Sequence, residues 1–463
     1  MKRVCKNIDI TNEELIKEAI RRCMKNKSRK KRQRQDIVRI YKEYGTDENI
    51  AHMMAAEIKA RKLDLRPVYM KEVVDGSNGK VRTIGIEDIK RQFYNNLCFI
   101  ALEELSHRIG EYQCTCIEGR GAVWGKERII GWMRDPKIKW VVQCDIRKNY
   151  QSVDHGKLMA FLRKHVANED LLWLIETLLD TSGSEGLLIG SVLSVILDAL
   201  YLSQIYHFAM EDLYKIRKHR DGTKDRERLV EHAIFFVDDQ SFYCRSQKNA
   251  KMAIKRVIAF AANMGLTIKP DYTIRQITDT QHQDMLGYRI YRHKAAMRRR
   301  DYLKVKRELR KVDEDPDIHS CRSLIALSGI FIKHSDSYRF RKKYHTKRIV
   351  RKARRYVSRY EKRVRQQAGR SENHNTGRQV HGTDLHRGRG GAASAGRGRA
   401  VHGISVRLHG VDCCRGRRGR GRHQGKPGRV RRIYSSSGAD DRGKGRKSAC
   451  KRGVCRNSCG REL

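Results

Sequence analysis

Two adjacent acids, Asp238 and Asp239, stand between the apolar runs Ile234-Phe235-Phe236-Val237 and Phe242-Tyr243-Cys244. Apolar, aromatic-rich runs on both sides of a polar pair read as strand, tight turn, strand. Such a turn lifts both carboxylates to the tip of a buried hairpin. Folding by itself disfavours that, because the pair is mutually repulsive and costly to desolvate. A divalent cation relieves both penalties, and a hard cation such as magnesium takes oxygen ligands while keeping positions open for phosphate oxygens. The plain alternative is an exposed hairpin turn, where Asp is common.

A third acid has a matching setting. The β-branched run Trp140-Val141-Val142-Gln143-Cys144 ends in Asp145 and then turns polar through Arg147-Lys148-Asn149-Tyr150, which puts Asp145 at a strand end on the edge of a sheet. Gln151 to His155 then reads as a helix cap before Leu158, Met159, Phe161 and Leu162. Two cations bridging Asp145 and Asp238 would hold a nucleoside triphosphate and stabilise both the attacking hydroxyl and the leaving pyrophosphate of an in-line displacement. Without them, Asp145 is a strand-end residue that caps a turn.

The surrounding elements resemble the palm of a reverse transcriptase. That family carries Asp-x-x-x-x-aromatic on the first palm strand, here Asp145 with Tyr150, and aromatic-x-Asp-Asp on the hairpin, here Phe236 to Asp239. Between them it has a Gly-rich segment opening a helix, here Gly186 to Ser194. After the hairpin come a helix ending in Gly265-Leu266 and a Leu-Gly-Tyr strand, here Met285 to Ile290. Upstream, Lys80 to Ile86 looks like the fingers strand, after the hairpin-turn signal Asp75 to Gly79. Lys90-Arg91-Gln92 leads an amphipathic helix through Leu97, Ile100, Ala101 and Leu105. Leu188, Val195, Asp198 and Tyr272 depart from the family pattern; Lys269 lies near the position that Tyr272 takes from a Lys.

The resemblance implies an α+β, right-hand polymerase of fingers, palm with a small antiparallel sheet and helical thumb, followed by a disordered basic tail. It implies Asp145, Asp238 and Asp239 as catalytic and metal-holding residues, two Mg2+ ions as cofactors and deoxynucleoside triphosphates as substrates. Lys80, Arg82, Ile146, Tyr150 and Gly190 become the nucleotide contacts: Lys80 and Arg82 to phosphates, Tyr150 under the sugar against a 2′-hydroxyl, Gly190 near the nascent base pair. The partners are an RNA template and a DNA or RNA primer, with a small basic accessory protein in some relatives and no membrane. Ile189 before Gly190 and the segment Ser323 to Phe340 suit the branch of diversity-generating retroelements; retron and group II intron enzymes are alternatives. A polymerase fold retained only for RNA binding is the rival from another class.

Charge agrees with a polyanionic partner: 101 Lys+Arg against 53 Asp+Glu give a formal net charge of +48. We divide the chain into an N-terminal helical extension (1–59), fingers and palm (60–295), a helical thumb (296–365) and an Arg/Gly-rich tail (366–463). The tail holds 20 of the 37 glycines and no Phe, Trp or Met. Its Arg-Gly runs read as an RNA-binding arm or as a decayed end. The 13 cysteines lack zinc spacings. Free thiols, with neither a signal peptide nor an apolar run of membrane-spanning length, lead us to expect the bacterial cytosol.

Overall fold

The computed structural model describes residues 2–25, 27, 32–74, 79–183 and 185–376. The N-terminal helices α1 (Glu13–Lys25), α2 (Gln35–Tyr44) and α3 (Asp47–Lys59) precede the hairpin of β1 (Tyr69–Val74) and β2 (Val81–Ile86). In α1 the buried side chains Ile16, Ala19, Ile20 and Cys23 recur at helical spacing and face α4 (Ile89–Ala101). The β1–β2 register runs from Tyr69↔Ile86 to Val74↔Val81. Most of the expected turn lies outside the described residues. Asp88 caps α4, its side chain accepting from Lys90 N. The helix stops at Ala101 rather than running on through Leu105, which belongs to a separate turn of helix, Glu103–Ser106.

Next come α5 (Ala122–Arg134), β3 (Trp140–Asp145), the single turn α6 (Asn149–Ser152), α7 (His155–His165), α8 (Glu169–Asp180) and α9 (Val192–His207). Asp154 caps α7 by accepting from Lys157 N at 2.7 Å. A ribbon of β4 (Tyr214–Lys218) and β5 (Lys224–Arg228) leads into β6 (His232–Phe236) and β7 (Asp239–Cys244), followed by α10 (Gln247–Asn263) and β8 (Thr273–Gln276). Strands β6-β7-β3-β8, in that order, form one antiparallel sheet.

Period-two alternation splits that sheet between two cores. Val142, Cys144, Phe235, Phe242 and Cys244 enter the large helical core. Val141, Ile234 and Tyr243 face a second core with Met285 and Tyr288, from the small sheet of β9 (Gln283–Met285), β10 (Tyr288–Ile290) and β11 (Ala295–Met297). A third core, including Val305, Leu309, Leu324, Phe340 and Ala353, holds together α11 (Arg299–Glu314), α12 (Ile318–Leu327), α13 (Tyr338–Lys343) and α14 (Thr346–Thr376).

Two expectations need correcting. Helix α14 continues to Thr376, past the break expected after Arg365; residues 377–463 lie outside those described. Second, the segment Val192–Asp212 is long and apolar enough to span a membrane by length and composition, with a mean hydropathy of 1.4, against the expected absence of any such run. Within the protein, 72% of it is buried, since α9 runs through the large core and is packed on most sides.

Candidate active site

Hydrogen-bonded pairing of β3 with β7 sets Asp145 directly across from Asp239, at the same end of the sheet and on the same face. Directly paired residues of this kind hold their Cβ atoms about 5 Å apart. Phe236 pairs with Asp239, so Val237 and Asp238 alone make the β6–β7 turn. Val237 has φ of 59°, a left-handed conformation that two-residue hairpins usually give to Gly or Asn. A β-branched side chain there stores strain of about 1–2 kcal/mol. Val237→Gly is therefore expected to raise the chemical-denaturation midpoint, by about 1 kcal/mol in stability, while slowing turnover through a looser turn. A lower midpoint would show that Val237 is not strained in solution.

The electrostatics of this edge are those of crowded like charges. Burial, then the Asp145 carboxylate, raises the pKa of Asp238, partly offset by Lys269 and Arg82. Asp239 opens to solvent on one side, yet burial, Asp238 and Asp145 together push it up to about 6 against the pull of Arg298 and Lys269. Lys269 Nζ sits 2.7 Å from Asp145 Oδ2, whereas Asp145 Oδ1 is buried with no hydrogen-bond partner. The backbone locks this in: Lys269 N donates to Asp145 O at 2.9 Å and Arg147 N to Thr267 O at 2.8 Å, on either side of an Ile146↔Ile268 bridge.

A divalent cation fits these residues. An orphaned carboxylate oxygen on Asp145, and two carboxyls raised by burial and by neighbouring acids, are what a cation would satisfy, and Lys269 already supplies a positive charge to Asp145. Among the described residues, no three Asp, Glu, His or Cys side chains form a closed metal cage. The acids line an open edge instead, which leaves coordination positions to phosphate oxygens.

The other expected site residues fall on three elements. Ile146 is buried directly after Asp145. Tyr150 lies in the first turn of α6, its hydroxyl pKa raised by burial and by nearby Asp198, Cys116 and Asp238. The main chain of Tyr150 accepts from Leu187 N at 2.6 Å, bringing the Gly-rich loop against it. That approach needs Gly186, where φ is +74° and an added Cβ would come within 2.8 Å of Gln151 Cα. Gly190, at φ +108°, lies against Gly85 O, and Gly85 N donates to Ile189 O at 3.1 Å. Leu188, a departure from the family pattern, fills the space over Gly85, where a Cβ would come within 2.2 Å of its side chain. Lys80 and Arg82 lie on the exposed β2 strand or just before it, and Arg82 is near enough to lower the Asp238 pKa. The β2 strand is thus tied to the Gly-rich loop, and its Arg82 lies near the Asp-bearing edge.

Two participants had no signal in the motifs. Asp198, which interrupts an apolar run in the sequence, is buried in α9 and accepts from Asn149 Nδ2 at 2.7 Å; burial pushes its pKa up to about 7. Arg298, just before α11, offsets the charge of Asp239.

A sheet edge presenting three acids, with a strand hairpin and a Gly-rich loop beside it, is the arrangement expected of a polymerase palm. In agreement, residues 70–290 match the family described as reverse transcriptase (RNA-dependent DNA polymerase). The match gives this region a polymerase fold and supports RNA-directed DNA polymerase activity at the level of the family. A domain of this family works on a nucleic-acid template and primer, with divalent metal ions and deoxynucleoside triphosphates. No curated protein matches the chain.

Proposed function

We propose that this protein copies an RNA template into cDNA by two-metal nucleotidyl transfer, with Asp145 and Asp238 holding two Mg2+ ions and Asp239 tuning them. The observation that carries this reading is the Asp145↔Asp239 register with Asp238 in the adjoining turn, which gathers three acids from distant parts of the chain. Bound there, the cations would activate the primer 3′-hydroxyl and neutralise the departing pyrophosphate. The chain's own residues do the positioning. Arg82, with Lys80, takes the triphosphate oxygens, Arg being suited to bidentate contact. The Ile146 main chain and Gly190 bound the nucleotide, and the Tyr150 ring excludes a 2′-hydroxyl. Lys269 brings its protons to the same edge, and we assign it to the leaving pyrophosphate.

We further propose a retroelement setting, near diversity-generating enzymes, with a small basic accessory protein among its partners. A cytosolic location is in keeping with the free cysteines Cys5, Cys23, Cys98, Cys114, Cys116, Cys144, Cys244 and Cys321 among the described residues.

Primer extension on poly-rA with oligo-dT tests the reading. The wild type should incorporate dTTP and reject UTP, and Tyr150→Ala should admit UTP with a selectivity loss of about 10²-fold, the scale of one lost steric contact. No dTTP incorporation by the wild type would instead favour an RNA-binding role for a polymerase fold that has lost its chemistry.

A further inference from the structure

The β4–β5 ribbon sorts its charges by face. The register sets Lys215 opposite Glu227 and Arg217 opposite Asp225 on one face, so every cation of those two cross-strand pairs meets an acid. One end of that face packs on the body, while Arg217 and Asp225 at its other end stay exposed. Lys215 and Glu227 are half-buried, 3.0 Å apart, and both bond to Asn249 at the start of α10, while Arg256 of the same helix donates to Tyr214 O.

On the other face the pairs are Tyr214↔Arg228, Ile216↔Arg226 and Lys218↔Lys224. It carries four cations and no acid. Lys218, Lys224, Arg226 and Arg228 are all exposed, Ile216 is 53% exposed, and the Arg226 guanidinium lies over the Tyr214 ring at 4.6 Å. Two lysines directly opposite one another repel and cost stability. With both strand acids on the opposite face, this face has no cross-strand acid to offset its cations, and a polyanion laid against it would offset them. Position also separates this face from the cleft. The ribbon joins the sheet at the His232 end of β6, and the acidic turn follows the Phe236 end, roughly 13 Å away at a strand's rise of ~3.3 Å per residue.

We infer that the outward face of the β4–β5 ribbon is a second RNA-binding surface, which grips the phosphate backbone of the RNA outside the polymerase cleft without reading its sequence. The cations meet phosphates, and Ile216 with the Arg226-stacked Tyr214 offers an apolar contact to ribose or an unstacked base.

The test uses the full chain and a hairpin RNA of ~20 base pairs, longer than the ~16 that a groove-spanning domain covers, with binding measured by anisotropy across a salt series and without nucleotides. Lys218→Gln/Lys224→Gln/Arg226→Gln/Arg228→Gln should weaken binding on the order of ten-fold and flatten the slope of log K against log salt by about 3. Lys218→Arg/Lys224→Arg, which keeps the charge, should bind as the wild type does. The turnover number on saturating poly-rA with oligo-dT should stay unchanged in both variants. Because binding is read without turnover, a catalytically silent protein would still report on the ribbon. An unchanged salt slope in the quadruple variant overturns the inference. So does an unchanged slope accompanied by lost binding to phosphatidylserine vesicles, which would make the face a membrane contact.

Discussion

Asp238→Asn is expected to lower RNA-templated primer extension by about 10³-fold or more, while the folded protein keeps or gains stability. The first half follows from the role proposed for the carboxylate: several kcal/mol of transition-state stabilisation from a cation depend on it, and each 1.4 kcal/mol is worth about a factor of ten. The second half follows from the crowding of charge. Asp238 is held above its ordinary pKa by burial and by Asp145, so in the metal-free protein its ionised form is a burden. An amide of the same shape removes the repulsion and loses no hydrogen bond that the fold depends on. Single-turnover extension and thermal melting of the same preparations measure the two halves. Extension within tenfold of wild type would sink the assignment. Lost extension with a collapsed melting temperature would leave only a structural role for Asp238.

Asp198→Asn should stabilise the protein more at pH 8 than at pH 5. Burial holds the Asp198 carboxyl at about 7, above the ~3.9 of an unfolded chain. A carboxyl raised on folding contributes its full stability below the unfolded value and loses it as pH rises through the folded one. Wild-type stability should therefore decline across pH 4–7 through this group, and the variant should lack that decline. The gap between the two is expected to widen by on the order of 3 kcal/mol from pH 5 to pH 8. Asn keeps the acceptor for Asn149 Nδ2, so the packing of α9 on α6 is retained. Denaturant unfolding at the two pH values checks it, the titration of other groups cancelling in the difference between the proteins. A gap independent of pH would show that Asp198 is already ionised through a partner it meets only in solution.

Local chemistry made much of this legible in the sequence. Asp154 caps α7, within the Gln151–His155 segment that reads as a cap before Leu158. The alternation in β3, β6 and β7 was strong enough to set Asp145 and Asp239 on one face once the strands paired. What stayed hidden depends on contacts between distant residues. Asp198 read only as an oddity in an apolar run, since Asn149 lies on another element. The strain at Val237 needs the two-residue turn, which a sequence without Gly or Asn there does not announce. The β4–β5 ribbon was not read from the sequence, and its polarity of faces follows only from register. The α4 break after Ala101 and the extension of α14 to Thr376 are boundary effects, where helical spacing gives no stop signal.

The apolar character of α9 bears on how the chain is made. During synthesis this helix leaves the ribosome after α4 and α7 but before β6, β7 and α10, which complete its covering. In that interval a segment of spanning length and hydropathy stands partly bare in water, where a translocon could capture it. A charged Asp198 inside it raises the cost of entering lipid by up to about 3 kcal/mol. The acid that burdens the finished core thus makes the bare segment costlier to place in a bilayer.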